Sequence, residues 1–422
     1  MRNPRPQVGS LATLAMTLLA ACTPGAPRAA DDGGGPSGVL AHAVRIEHLD
    51  TLVREPMLVE HPGGALFVAG YNRVRPALWR SRDRGTTWHR VDLGTAAEGA
   101  VGNSDVDLAV APDGTLYCAQ MTFDNTVFEG RGIAVGVSRD TGATWRWSSV
   151  SQARFDDRPW IAVAADGTAH LVWNDDGGVQ HARSTDRGAT WTRTGRVHPR
   201  GGSSHLAMGP GGEIAVRVAP GAASGNQCHP DTELVVVSTD GGTTWRAHRA
   251  PGTLRADGCP GADAGEIPRW ADPLAWDAGG ALHTLWTDST GVWLARSVDR
   301  GATWRTWRVV ERGASEPVAH YPFLAARGDG ELMATWFVDT GDPLSWRAAW
   351  LTPRGPHADA WDVRLSPVTP LESWRAAPRE ADEGGEYLAV RFLRDGSVAV
   401  VTPIQHHAAN RLGFTWWTFG PP

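Results

Sequence analysis

The chain of 422 residues contains no lysine: all 40 of its basic side chains are arginine. Alongside the abundance of Ala and Gly, this reads as the coding bias of a GC-rich genome and not as a functional signal. The 46 acidic residues leave a net charge of −6, and no basic stripe is present, which excludes nucleic acid as the expected partner. Cysteine is scarce, with four residues, and none stands with His at zinc-ligand spacing. Candidate calcium ligands at Asp124-Asn125, Asn174-Asp175-Asp176 and Asp339/Asp342 lack EF-hand spacing, so no cofactor is expected. No Ser-His-Asp arrangement and no phosphate-binding Gly loop is recognisable. His406-His407 has no carboxylate partner nearby in sequence and reads as solvent-exposed.

What the chain does have is a repeat. Ser-x-Asp-x-Gly-x-Thr-Trp occurs at Ser81–Trp88, Ser138–Trp145, Ser184–Trp191, Ser238–Trp245 and Ser297–Trp304. Each copy reads as a hairpin turn. The Asp accepts hydrogen bonds from backbone N–H groups ahead of it. The Gly supplies a φ > 0 position closed to other residues, and the Trp anchors the loop from below. The pattern resembles the Asp box (BNR repeat) of sialidase-type β-propellers. Five of the 21 Trp belong to the repeat itself, so Trp abundance is not by itself a sugar platform.

The N-terminus reads as a targeting segment. Arg2 and Arg5 precede the apolar run Leu11–Ala21, which is too short to span a bilayer. The run ends in Leu19-Ala20-Ala21-Cys22, which resembles a bacterial lipobox and implies cleavage before Cys22 and lipidation of its sulfur. The expected division is therefore a signal peptide over 1–22, a flexible Pro/Gly/Ala tether over 23–38 and one globular domain over 39–422. This makes the protein exported and lipid-anchored to the cell envelope, touching the membrane only through that anchor, and a monomer. Cys118 lies in an apolar strand and reads as core. Cys228 and Cys259 lie in polar loops of an exported chain and are expected to form a disulfide.

A second repeat counts the blades. A Gly-containing turn followed by an apolar strand recurs at Gly64, Gly114, Gly167, Gly212, Gly280, Gly330 and Gly396. Each is preceded by another apolar strand, so seven hairpins predict an all-β, seven-bladed propeller of four-stranded antiparallel blades. Six blades is the alternative, with one hairpin an insertion. Blades one to five carry the Asp box between their third and fourth strands, and blade six has a degenerate version at Leu351–Gly355. Blade seven runs out one strand short at Arg411–Phe419, and Ala43–Leu49 is expected to supply its outer strand and close the ring.

The loops on the face opposite the Asp boxes are long and polar: Thr122–Arg131, Ala219–Asp231, Pro251–Asp272, Val338–Trp346 and Pro367–Glu386. Residues just before each inner strand should ring the channel mouth there. They are Arg54-Glu55-Pro56, Asp105/Asp107, Asp157-Arg158-Pro159, Ser204-His205, Arg269-Trp270/Asp272-Pro273, His320-Tyr321-Pro322 and Glu386-Tyr387. Arg54, Asp157, Arg158, Arg269, Asp272 and Tyr321 are thus the ligand-binding candidates, because arginines grip carboxylates bidentately and carboxylates accept sugar hydroxyls. The same residues can equally satisfy backbone groups and one another.

The resemblance to sialidases extends to Arg54-Glu55-Pro56, which is similar to an Arg-Ile-Pro motif whose Arg binds a substrate carboxylate. It implies Tyr387 as nucleophile, with Glu55 or Glu383 as the activating carboxylate, since Glu386 is adjacent and points to the opposite face. The chain departs from the family at the proton donor: the loop Tyr71–Arg75 contains no carboxylate. The leading expectation is accordingly a propeller that binds a glycan or a protein ligand without chemistry. The second is a glycan-active enzyme, an exo-sialidase-like hydrolase, or less favoured a polysaccharide lyase using Tyr321, His320 and Arg269.

Overall fold

The computed structural model describes residues 38–421, apart from 73, 220–232, 253–270, 314–315, 341–343, 356, 372–384 and 407–408. The described residues form seven separate antiparallel sheets. The inner strands are Arg54–Glu60, Val106–Val110, Asp157–Val163, Gly202–Met208, Leu274–Trp276, Ala319–Arg327 and Val390–Phe392. The chain is a seven-bladed propeller, and the six-bladed alternative is excluded. The ring closes through the N-terminal strand His42–Leu49, which pairs antiparallel with Arg411–Phe419 as the outer strand of blade seven. Joining first and last segments in one sheet removes the free edge a linear repeat would leave. Gly38–Val39 adds a short parallel strand outside blade six, and Leu40 is buried beside Trp346 and Phe419.

The second strands are largely buried because both faces of a blade pack on neighbours. Leu66–Tyr71 and Ala169–Asp175 are buried at every position, unlike a half-exposed strand with its strict alternation. The outer strands return to polar sequence, as Thr192–His198 shows with a single buried residue. Cys118 is a buried free thiol in this wedge between blades one and two. Its burial pushes the thiol up to about 12, so it is an inert core residue.

All five Ser-x-Asp-x-Gly-x-Thr-Trp turns sit between third and fourth strands and share one bonding pattern. In the turn at 184–191, Ser184 Oγ donates to Asp186 Oδ1 at 2.8 Å and accepts from Gly188 N–H at 2.8 Å. Thr190 donates its backbone N–H to Oδ1 at 2.9 Å and its hydroxyl to Oδ2 at 2.6 Å. The hydrogen bonds from Thr hold the carboxylates of Asp83, Asp186 and Asp240 down to about 2. The residue before each Gly is also left-handed, with φ of 60° at Arg84, 58° at Thr141, 61° at Arg187 and 61° at Arg300. Two consecutive left-handed residues make the turn type I′, which matches the twist of the strands it joins. Here Asp accepts enough hydrogen bonds to impose that conformation on residues other than Gly.

The turn face carries the 3–4 and 1–2 connections, and the opposite face carries the 2–3 connections and the blade crossings. One expectation on that second face needs correcting. Thr122–Arg131 is not an irregular loop: the ladder of blade two continues through Phe123↔Gly130 and Asp124↔Glu129, leaving a four-residue tip. The hairpin is clamped to the following crossing by Phe155 N–H to Gly130 O at 3.1 Å and by Arg154 to Glu129 at 2.6 Å. Gly130 permits this approach, because a Cβ there would lie 1.7 Å from Asp156 O.

Candidate functional site

Three inner strands begin in the same unusual way. Glu55, Arg158 and Tyr321 have φ of 46°, 48° and 46°, and each is followed by Pro. Each triplet produces a shift of register, between Arg54 and Met57, Asp157 and Trp160, and His320 and Phe323. A non-glycine residue in the left-handed region costs roughly 1–3 kcal/mol, and a following proline restricts the backbone further. The sheet holds this strain at three places on the channel mouth, where the bulges re-aim side chains. The repeated x-x-Pro pattern was visible in sequence, but it does not by itself disclose a left-handed residue.

The mouth residues of blades one, two, three and seven form a single charged cluster. Arg158 Nη2 donates to Glu386 Oε2 at 3.1 Å, and its Nε lies 3.9 Å from Asp157 Oδ2. Behind them, Glu386 N–H donates to Glu55 Oε1 at 3.0 Å. Gly385 makes room for this contact: its φ is +78°, and a Cβ there would lie 2.0 Å from Glu55 Cγ. The Arg54 guanidinium lies 5.7 Å from the centre of the Tyr71 ring. The cluster is layered. Asp157, Arg158 and Glu386 keep side-chain exposures of 40%, 17% and 18%, whereas Arg54, Glu55, Tyr71 and Tyr387 are buried.

Crowding of like charges away from water shifts these groups strongly. Burial, reinforced by Asp105 and Glu386, raises Glu55 well above the usual carboxylate range. Burial and the neighbouring Asp157 push Asp105 up to about 7, against the pull of Arg158. Asp107 is also pushed up to about 7 by burial, although Ile161 and Leu108 donate their backbone N–H groups to it at 2.8 Å. Burial would lower Arg158, but Glu386, Tyr387 and Asp157 outweigh it and raise this guanidinium. On the inner strand of blade seven, desolvation lowers Arg391, with Asp107 and Glu60 opposing.

Tyr387 lies beneath the rim, edge-on to Trp160 at 5.0 Å, and Trp160 stacks on His205 at 4.8 Å. Its hydroxyl has no hydrogen-bond partner among the described residues. Burial raises it well above its ordinary value, Arg158 opposing and Glu386 and Glu55 reinforcing. Glu386, set aside in sequence as pointing away from Tyr387, is thus in the same charge cluster, though its ion pair goes to Arg158. Asp105 was legible as a mouth residue but not as a protonatable group near neutrality, because that property comes from burial and from Asp157 and Glu386 of blades three and seven.

The other candidates lie elsewhere. Asp272 is buried and binds Arg217 Nη2 at 3.0 Å; Arg217, fully buried, also meets Glu233 Oε2 at 2.7 Å. This triad joins blades four and five. Tyr321 is half-buried and edge-on to Phe337 at 6.5 Å. Arg269, Glu383, Cys22, Cys228 and Cys259 lie outside the described residues. Among the described residues no group of three metal-ligating side chains converges. A groove of about 780 Å³ bordered by Val74–Pro76, Arg90–Ala96 and Ala100–Gly102 is lined by none of the charged mouth residues.

No known protein family matches the chain, and no curated protein matches its sequence. Solved structures do match in fold. A polysaccharide lyase of family PL25, an ulvan lyase, shares 12% identity at a TM-score of 0.53, over 89% of this chain and 96% of its own. The GH93 α-L-arabinofuranosidase of Fusarium graminearum, solved with arabinobiose, shares 14% at 0.51, over 89% and 97%. A virginiamycin B lyase from Staphylococcus aureus shares 10% at 0.52, over 89% and 98%. Identities this low establish the propeller architecture and leave the chemistry to the site itself.

Proposed function

We propose that this chain is an exported, lipid-anchored propeller of the Asp-box kind that recognises a glycan at the mouth of its central channel. The observation that carries the reading is the convergence of Asp157, Arg158 and Glu386 on a partly open rim, backed by Arg54, Glu55, Tyr71 and Tyr387. Strongly perturbed ionisable groups gathered with specific charge partners at one place are the pattern that points to a functional site. Carboxylates and a guanidinium around an aromatic floor suit a ring bearing both hydroxyls and an apolar face. Solved neighbours include enzymes crystallised with oligosaccharides, an arabinobiose and an ulvan fragment, which supports a glycan over a protein ligand. Export and the anchor at Cys22 rest on the N-terminal sequence pattern.

Binding of the purified domain to a glycan array, followed by calorimetry on the best ligand, tests this. Arg158→Gln should weaken binding at least tenfold while leaving the thermal midpoint within a few degrees. Binding that is indifferent to Arg158→Gln would move the site away from the mouth.

A second reading, a glycan-cleaving enzyme, is favoured by one observation: Asp105 is pushed up to about 7, supplying a proton donor that Tyr71–Arg75 lacks. Against it stands Tyr387, a buried phenol well above its ordinary pKa, which is a poor nucleophile until it is deprotonated. Hydrolysis of a fluorogenic sialoside, abolished by Tyr387→Phe, would establish this alternative.

A further inference from the structure

A second charged recess lies on the same face, between blades five and six. It is a cavity of about 70 Å³ lined by Gly291, Val292, Val310, Trp336 and Val338 on its apolar side, with Arg312, Arg347 and Glu316 as its charged residues. Arg347 stands opposite Trp336 in the ladder of blade six. Its Nε donates to Ser366 O at 2.9 Å, which fixes the plane of the guanidinium, and its terminal nitrogens have no partner among the described residues. Arg312 donates only to backbone carbonyls, from Nε to Glu316 O at 2.9 Å and from Nη1 to Ser289 O at 3.1 Å. Neither arginine lies within 4 Å of a carboxylate oxygen among the described residues. The nearest acid, Glu316, is exposed and spends one oxygen on Gly313 N–H at 3.3 Å.

This arrangement contrasts with Arg217 and Arg158, which sit at comparable or greater depth and are each matched by carboxylates. A half-buried guanidinium is stable when an anion completes it and costly when none does. Burial accordingly depresses Arg347, with Glu316 only partly opposing. The free edge of a fixed guanidinium presents two parallel N–H donors, the geometry of a carboxylate. The cavity has room for a carboxylate and its first carbons, or a few waters, and Trp336 and the valines suit an apolar ring edge.

We propose that this recess is a carboxylate-binding subsite, with Arg347 as the bidentate ligand and Arg312 as the second positive charge. That the carboxylate belongs to an acidic sugar rests on the glycan reading above; the carboxylate site itself stands on the recess alone. Ala319 lines the recess and His320-Tyr321 continue from it to the mouth, so an acidic residue held here would belong to a chain that crosses toward Arg158.

The test is calorimetric titration of the intact globular domain with glucuronate, acetate and methyl glucoside. Glucuronate should bind saturably, at least tenfold more weakly in Arg347→Met, and without change in Arg146→Gln, an exposed arginine on the turn face. Methyl glucoside should not bind, and acetate binding without preference for glucuronate would assign the site to small carboxylates instead of an acidic sugar. Should Arg347→Met lower the thermal midpoint, Arg347→Lys keeps the charge, loses the fork and should still weaken glucuronate severalfold. No saturable glucuronate or acetate binding, or binding indifferent to both Arg347 variants, overturns the proposal. Loss of glycan binding in Arg158→Gln alone concerns the mouth and leaves this outcome separate.

Discussion

The two faces of the propeller solve the same problem, turning the chain between strands, in opposite ways. On the turn face each Asp is satisfied within eight residues, by its own Ser and Thr, and the carboxylates of Asp83, Asp140, Asp186 and Asp240 are held down to about 2. On the mouth face the cluster is held by partners far apart in sequence: Arg158 finds Glu386 across 228 residues and Glu55 finds the N–H of Glu386 across 331. Local closure yields copies that are alike and electrostatically settled. Closure across blades yields strain at Glu55, Arg158 and Tyr321 and carboxyl groups that keep their protons. A face built from long-range partners can place a particular set of charges together, and that is where recognition is possible.

The largest expected effect breaks the long-range side. Arg217→Met strands Glu233 and Asp272 without their cation, and removing one member of a buried ion pair costs about 3–5 kcal/mol. The variant should unfold at a much lower denaturant concentration; a shift smaller than one third of that would mean water reaches the triad.

Next comes the local side. At Gly85, φ is +87° and a Cβ would lie 2.4 Å from Trp416 Nε1 of blade seven. Gly85→Ala should cost roughly 2–4 kcal/mol, the sum of a left-handed penalty and overpacking. Gly167 has φ of +87° but nothing within 4 Å, so Gly167→Ala should cost about 1–2 kcal/mol. Equal losses in thermal melts would mean that the Trp416 contact yields freely.

Two pH slopes of opposite sign follow. His170 and His181 share a 3.1 Å hydrogen bond inside blade three, and burial lowers them to about 4 and about 3. The unfolded chain therefore takes up more protons as pH falls from about 6.5 toward 4, and stability drops over that window. Asp105 and Asp107 are raised to about 7, so they favour the folded state below about 4 and give up that contribution as pH rises from about 4 toward 7. His181→Gln should flatten the first dependence and Asp105→Asn the second in denaturant midpoints measured from pH 4 to 7.5. Unchanged profiles in both would show that neither group is desolvated in solution.

The smallest effect is spectroscopic. Carboxyl carbon titrations should place Asp140, Asp186 and Asp240 at about 2 and Asp105 at about 7. An Asp105 midpoint in the ordinary range would erase the contrast between the faces.

Most of the fold was legible because the information is local. A Gly turn followed by an apolar strand specifies a hairpin wherever it occurs, and seven of them count the blades without any knowledge of contacts. The missing strand of blade seven could be assigned to Ala43–Leu49 because that blade runs one strand short after Arg411–Phe419 and the N-terminal strand can supply its outer edge. The mouth was legible only as a set of positions before inner strands. Asp272 read there as a ligand-binding residue, but its partner Arg217 sits on the second strand of the preceding blade, with no motif linking the two. The continuation of blade two through Thr122–Arg131 was hidden by polar residues that read as loop yet pair as ladder.

The sequence by itself pointed to seven blades and set the turn chemistry, because each depends on patterns of eight to twenty residues and on hydrogen bonds made inside them, whereas closure of the ring joins strands from the two ends of the chain. Only the tertiary structure decided which charges share a site, which arginines lack a carboxylate and which aspartates hold a proton near neutrality. Those properties depend on distance and on exclusion of water, and both are set by blades that lie far apart along the chain.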